Sequence, residues 1–139
     1  MKIQNVSELE KAKLMLKRYM QCCQFKFGVR SYPDEFDFNL IKTYGWYSAK
    51  NRGNNLGGVS RDHMVSVRYG FDHKIDPYLL SHPANCILVL QSDNASKGND
   101  CSITIDELKT RIKEWESKYG VYENKINYGV LKDFLPDFV

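Results

Sequence analysis

The side chains best suited to chemistry in this chain are the adjacent pair Asp62 and His63, followed by Asn85 and Asn94. An imidazole, with an ordinary pKa of about 6.5, can accept a proton from water near neutral pH. Carboxylate and amide oxygens are hard ligands of the kind that Mg²⁺ or Mn²⁺ accepts. Each residue taken singly also has a structural explanation, because histidines occur in cores, and Asp and Asn are common in turns and caps. Only their joint arrangement can favour a functional site.

Two predicted strands and a short helix carry these four residues. Strand periodicity over 59–67 would place Val59, Arg61, His63, Val65 and Val67 on one face and Ser60, Asp62, Met64 and Ser66 on the other. The more apolar stretch 85–90 predicts a second strand. Ser92 is a candidate cap of a short helix that contains Asn94 and ends near Gly98. The acid, the imidazole and the two amides are therefore expected on three consecutive elements.

Helices are predicted on both sides of this region. The Ser-x-x-Glu pattern at 7–10 is a capping box and predicts a helix that runs to about Met20. The Thr-x-x-Glu pattern at 104–107 predicts another helix, with one apolar stripe and a stop at Gly120.

The remaining segments lack a clear periodicity. Pro33 followed by two acidic residues predicts a short helix start at 34–36. The glycine-rich stretch 51–58 predicts a loop, and 70–83, with its Asp-Pro and His-Pro pairs, predicts an irregular connection between the strands.

In this order the motifs resemble the HNH nuclease family, in the form that has Asp-His, then Asn, then Asn before a basic-Gly pair. The first strand with its Asp-His pair is 58–67, the central asparagine motif is 82–88, and the final helix motif is 93–98. The resemblance covers about residues 57 to 115, and the nine-residue interval between the two asparagines matches the family. The long interval before the first asparagine implies an enlarged loop, and the cysteine pairs of many relatives are absent.

The resemblance implies an α+β fold with a ββα-metal motif, in which an antiparallel strand pair meets a metal-bearing helix, plus an N-terminal and a C-terminal helix. It implies that Asp62 and Asn94 are the protein ligands of one Mg²⁺ or Mn²⁺. His63 would be the general base, and Asn85 would tie the loop between the strands so that His63 keeps its orientation.

The function implied is a metal-dependent endonuclease that hydrolyses DNA, of the kind found in phages or mobile elements. Arg61 and Lys97 are candidate phosphate contacts, although exposed basic side chains are often simply solvated. A homodimer is expected if the enzyme cuts both strands. Two alternatives stay open: a catalytically inactive HNH-fold protein that binds nucleic acid, and a nuclease that acts on RNA.

Size and composition agree with one soluble domain over residues 1–139, divided into an N-terminal helical and aromatic region (1–57), the HNH core (58–98), and a C-terminal helix and tail (99–139). Hydrophobic residues make up 42% and charged residues 27% of the chain, and the net charge of +3 permits a polyanionic partner without requiring one. No apolar run approaches the roughly 20 residues of a membrane span.

The four cysteines are informative about the cellular compartment of the protein and about whether it could bind structural zinc. Cys22 and Cys23 are adjacent, and Cys86 and Cys101 stand alone. Without a Cys-x-x-Cys pair the spacing argues against structural zinc, although a mixed site with a histidine stays open. The N-terminus lacks the apolar core of a secretion signal, so we expect a cytoplasmic protein with reduced, buried thiols.

Overall fold

The computed structural model describes residues 2–50 and 53–138 and shows a mainly helical chain with two short strands at its centre. The described residues form, in chain order, α1 (Lys2–Cys22), α2 (Phe38–Tyr44), β1 (Val59–His63), α3 (Val67–Asp72), α4 (Pro77–Ser81), β2 (Cys86–Leu90), α5 (Gln91–Lys97) and α6 (Ile105–Tyr119). The predicted α+β class is confirmed by this mixture of helices with a two-stranded antiparallel sheet.

The two strands pair in a register that fixes the orientation of the polar residues. Asp62 lies opposite Ile87, and His63 lies opposite Cys86, at the end of β1. Helix α5 follows β2 without a loop and packs against both strands. The predicted strands and short helix are therefore present in the order strand, strand, helix, but β1 ends at His63 rather than at Val67.

The connection between the strands is helical rather than irregular, so that prediction was wrong. The Ser66 hydroxyl caps α3 by accepting from the Tyr69 amide, and the Asp76 carboxylate caps α4 by accepting from the Tyr78 amide. Pro77 occupies the first turn of α4, where its missing N–H costs nothing. A 3-10 turn, Pro83–Asn85, then leads into β2.

Three predicted helix starts differ from the structure. Ser7 lies inside α1, because the helix already begins at Lys2 and the amides near Ser7 can bond to preceding carbonyls. Helix α2 begins at Phe38, capped by the Asp37 carboxylate, and 33–35 forms a turn. Ser92 lies inside α5, whose N-cap Leu90 makes no side-chain cap bond.

Helix α6 confirms its prediction. Thr104 and Glu107 form the reciprocal capping box, and Gly120 ends the helix at a φ of 81°, a left-handed conformation that suits glycine. The predicted stripe comprises Leu108, Ile112, Trp115 and Tyr119; its first three residues are buried in the main core, whereas Tyr119 is 40% exposed.

Two apolar clusters hold the elements together. The larger lies among α1, α4 and α6 around Tyr19, whose hydroxyl donates to the Ile75 carbonyl at 2.8 Å. The smaller lies under the sheet and contains Val59, Leu88 and Phe27. Asn51 and Arg52, the start of the predicted loop, lie outside the described residues. No helix in the described ranges is long and apolar enough to cross a membrane.

Candidate functional site

One face of the hairpin, which we call the α5 face, collects the polar residues of β1 and α5. The Asn94 amide nitrogen donates to the Ser60 hydroxyl at 3.3 Å, and Lys97 Nζ lies 3.2 Å from a carboxylate oxygen of Asp62. Ser60 and Asp62 are alternate residues of β1 and therefore share this face. The structure thus brings Asp62 and Asn94 to the same side of the sheet.

The ammonium of Lys97 marks a position where oxygen atoms converge. In addition to the Asp62 carboxylate, it contacts the backbone carbonyl of His63 at 3.0 Å. Asp62 is only 7% exposed, and a buried carboxylate is tolerated where a partner of opposite charge, here Lys97, lies beside it. The Asn94 side-chain oxygen accepts no hydrogen bond from the described part of the chain. A positive charge is therefore already held beside Asp62, and the Asn94 amide lies on the same face.

Within residues 2–50 and 53–138, no three side chains of His, Cys, Asp or Glu lie close enough together to hold a metal ion. A cation on the α5 face would have one carboxylate and one amide as side-chain ligands. Water and substrate phosphate would supply the remaining positions, which is how Mg²⁺ is commonly bound.

The imidazole of His63 lies on the opposite face of β1, which we call the imidazole face. Its ring stacks on Phe25 with centroids 4.0 Å apart, and its Nε2 lies 2.7 Å from the carbonyl oxygen of Cys23. A carbonyl only accepts, so Nε2 carries the proton and Nδ1 keeps its lone pair. Burial is the main cause that lowers the pKa of His63 below its ordinary value, which keeps the ring neutral at pH 7. The structure does not place this ring on the side of Asn94.

Asn85 fastens the chain just beyond β1. It is fully buried, its side-chain oxygen accepts from the Val65 amide at 2.8 Å, and its nitrogen donates to the carbonyls of Leu80 and Val65. The Asn85 carbonyl also accepts from the Met64 amide. These bonds fix the backbone of the residues that follow His63.

The two candidate phosphate contacts lie on opposite faces of the hairpin. Lys97 is on the α5 face, whereas the Arg61 guanidinium lies on the imidazole face, where it donates to the Phe27 carbonyl at 2.8 Å. Its carbon is 5.9 Å from the Phe25 ring centroid and 5.7 Å from that of Phe27. Arg61 remains exposed and keeps donors for a ligand, because a guanidinium has five.

Sequence reasoning did not assign Ser60, Phe25 or the Cys23 carbonyl to the site. Ser60 could have been found, since it is two residues before Asp62 on the same face of a predicted strand. Phe25 belongs to an aromatic-rich stretch that gives no sign of which ring meets His63. A backbone carbonyl has no signature in the sequence.

The geometry offers a cation position on one face and, on the other, a neutral imidazole with a free lone pair beside an arginine. These are the groups needed to neutralise a phosphate and to accept a proton from water. Comparison of the chain with family models, with curated proteins and with solved structures gave no match.

Proposed function

We propose that this protein is a metal-dependent endonuclease of the HNH type that hydrolyses DNA phosphodiester bonds. The observation that supports this most is the placement of Asp62 and Asn94 on one face of an antiparallel hairpin, where Asn94 donates to Ser60 and Lys97 contacts Asp62. Strand, strand and helix follow in the order that the Asp-His, Asn and Asn motif requires.

In this proposal the Asp62 carboxylate and the Asn94 amide oxygen hold one Mg²⁺ or Mn²⁺. The contact of the Lys97 ammonium with Asp62 and with the His63 carbonyl supports this, because it identifies a place that favours positive charge. The ion, when bound, would neutralise charge on the substrate phosphate. Lys97 would then leave Asp62 and become available to a phosphate oxygen.

His63 is the proposed general base. Its lowered pKa leaves the ring unprotonated at neutral pH, and the bond from Nε2 to the Cys23 carbonyl leaves the lone pair on Nδ1, which is the atom that would accept the proton. Asp62 and His63 are consecutive residues at the end of β1, so the proposed metal ligand and the proposed base are neighbours along the strand. Asn85 holds the backbone at this end and acts as a positioning residue.

A second candidate is a protein that binds nucleic acid without cleaving it. The packing of His63 favours this second candidate. The ring is stacked on Phe25 and its N–H donates to the Cys23 carbonyl, as expected of a histidine with a structural role. A nuclease that prefers RNA is a third candidate.

Cleavage of supercoiled plasmid separates these candidates. With Mg²⁺ or Mn²⁺ we expect nicked or linear product, and with EDTA none. His63→Ala should lower the rate by about 10²–10⁴-fold, the usual contribution of a general base, whereas the exposed His73→Ala should not change it. Wild-type protein that binds plasmid but leaves it intact with both metals would establish the non-catalytic alternative. Matched RNA and DNA oligonucleotides, incubated in parallel, test the third candidate.

The metal ligand is tested at Asn94. Asn94→Asp keeps an oxygen donor and should preserve Mn²⁺ binding better than Asn94→Ala, with exposed Asn99→Ala as the control. Calorimetric titration with Mn²⁺ measures this without any substrate. Equal loss in both Asn94 variants would show that Asn94 is not a ligand. Sedimentation with and without DNA tests the homodimer that double-strand cleavage would call for.

A further inference from the structure

An open groove of about 420 Å³ lies on the imidazole face, next to Arg61. We call it the Trp46–Arg61 groove; its lining residues are Phe27, Gly28, Val29, Arg30, Trp46 and Arg61. Both charged residues in this lining are arginines, so the groove favours an anionic ligand. The Trp46 ring is 43% exposed and offers a flat aromatic surface.

The backbone fixes Trp46 in this position. Trp46 forms a bridge with Val59, and the Tyr47 amide donates to the Val59 carbonyl at 2.8 Å, which attaches this segment to the start of β1. Gly58 permits the close approach, because a Cβ there would collide with the backbone of Trp46 and Tyr47. An exposed tryptophan is thus held by strand-like bonds rather than carried on a free loop.

The groove continues the surface that carries the proposed general base. Arg61 and His63 are alternate residues of β1, so they share a face about 7 Å apart. Phe25 lies between them, stacked on the imidazole and close to the Arg61 guanidinium. The exposed Arg30 also lines the groove. A chain of phosphates that passes His63 would meet Arg61 next and then the groove.

We propose that the Trp46–Arg61 groove binds a nucleotide of the DNA strand beside the cleaved phosphodiester, with its base stacked on Trp46 and its flanking phosphates on Arg30 and Arg61. This rests on the DNA substrate of the proposed function. Two arginines and an exposed aromatic ring are the combination that single strands use, because every base has a π face and every nucleotide an anionic phosphate. Such a site stacks any base and positions the strand without selecting its sequence.

The test uses the full chain in EDTA, so that binding is measured without cleavage. The chain has two tryptophans, and only Trp46 is exposed, since Trp115 is 5% exposed. Titration with a short DNA duplex that carries a single-stranded overhang should quench the emission of Trp46. Trp46→Phe should remove the quenching and leave the emission of Trp115 unchanged.

Affinities come from the anisotropy of the same labelled DNA. Arg30→Ala and Trp46→Ala should each weaken DNA binding about 10-fold. In a plot of the logarithm of the binding constant against the logarithm of the salt concentration, Arg30→Ala should also reduce the slope by about one. Arg68→Ala, an exposed arginine paired with Asp72, is the control and should change neither. Circular dichroism establishes that each variant is folded.

The outcomes separate this proposal from the catalytic one. The groove proposal is overturned if saturating DNA leaves the emission of Trp46 unchanged, or if both groove variants bind DNA with wild-type affinity. Either result counts against the groove even if the protein cleaves plasmid. Quenching together with intact plasmid supports the groove and overturns the nuclease. Absence of DNA binding overturns the groove as well.

Discussion

At the residue scale, Lys97 competes with the cation proposed for the α5 face. Its ammonium holds the Asp62 carboxylate and the His63 carbonyl, two oxygens that face that position. Lys97→Met keeps an unbranched apolar stem and removes the charge. We expect the affinity for Mn²⁺ to rise about 10-fold, because a like charge near the surface opposes a cation by about 1–2 kcal/mol.

Calorimetric titration with Mn²⁺ measures this change, with Lys109→Met on the exposed side of α6 as the matched control. Cleavage by Lys97→Met should fall if Lys97 moves to a phosphate when metal binds. An affinity for Mn²⁺ that is unchanged or lower in Lys97→Met would show that the ammonium does not occupy the metal position.

Asn85 contributes stability through three buried hydrogen bonds. Asn85→Ala would leave the Val65 amide and the carbonyls of Val65 and Leu80 without their partner. Each unsatisfied buried group costs about 1–3 kcal/mol, and we expect a total loss of about 3 kcal/mol, because a water molecule taken up in the space that alanine vacates would replace part of the lost bonds. Urea unfolding measures the loss, and exposed Asn99→Ala should stay within about 0.5 kcal/mol of wild type. A loss below about 1 kcal/mol in Asn85→Ala would contradict the tying role.

At the element scale, the attachment of the Trp46 segment to β1 depends on a missing Cβ. The pair Gly57 and Gly58 provides a matched test, because a Cβ at Gly57 meets nothing within 4 Å, whereas one at Gly58 meets the backbone of Trp46 and Tyr47. We expect Gly58→Ala to displace the segment and to lower the free energy of unfolding by about 1–3 kcal/mol. Gly57→Ala should have little effect.

The emission of Trp46 and its accessibility to acrylamide report the displacement, and urea unfolding reports the stability. Gly58→Ala should also weaken DNA binding in EDTA if the Trp46–Arg61 groove is the contact. Equal stability and equal emission in the two alanine variants would show that the segment has room to adjust.

Elements with end signals or strict alternation could be predicted from the sequence. Thr104 and Glu107 define the start of α6. Periodicity over 59–67 predicts β1, which in the structure ends at His63. Helices α3 and α4 were missed because each has fewer than two turns and shows no periodicity. Their caps, Ser66 and Asp76, were the available signal.

The candidate site could be predicted only in part, because local patterns specify the elements but not how they pack. Strand periodicity and element order bring Asp62 and Asn94 to one face, and periodicity also sends the His63 ring to the other. What the ring meets there could not be predicted, because its partners are a carbonyl 40 residues away and one phenylalanine among many. The pairing of Lys97 with Asp62 depends on how α5 packs, which no local pattern specifies.

At the scale of the whole molecule, His82 packs the segment between β1 and β2 against α6. It is fully buried, and its ring makes edge contacts with Trp115 and Tyr122. Its Nδ1 accepts from the Ala84 amide at 3.0 Å, so the proton is on Nε2, which has no hydrogen-bond partner among the described residues. This environment accepts only the neutral ring.

The consequence is a loss of stability in mild acid. Burial lowers the pKa of His82 from 6.5 to about 4, so the unfolded chain takes up a proton between these values while the folded chain does not. The stabilisation is complete above pH 6.5 and is lost as the pH falls from 6.5 towards 4. The pKa of His63 is lowered by burial as well and acts in the same direction.

Urea unfolding at pH 7 and pH 5 measures this effect before most carboxylates titrate. We expect the free energy of unfolding to fall by about 1–2 kcal/mol from His82, after a reduction for solvent screening. His82→Asn keeps an oxygen that can accept from the Ala84 amide but cannot titrate, so its unfolding free energy should depend less on pH. If the unfolding free energies of His82→Asn and wild type depend equally steeply on pH, the acid sensitivity comes from another group. The same measurement on His63→Ala would then test whether that group is His63.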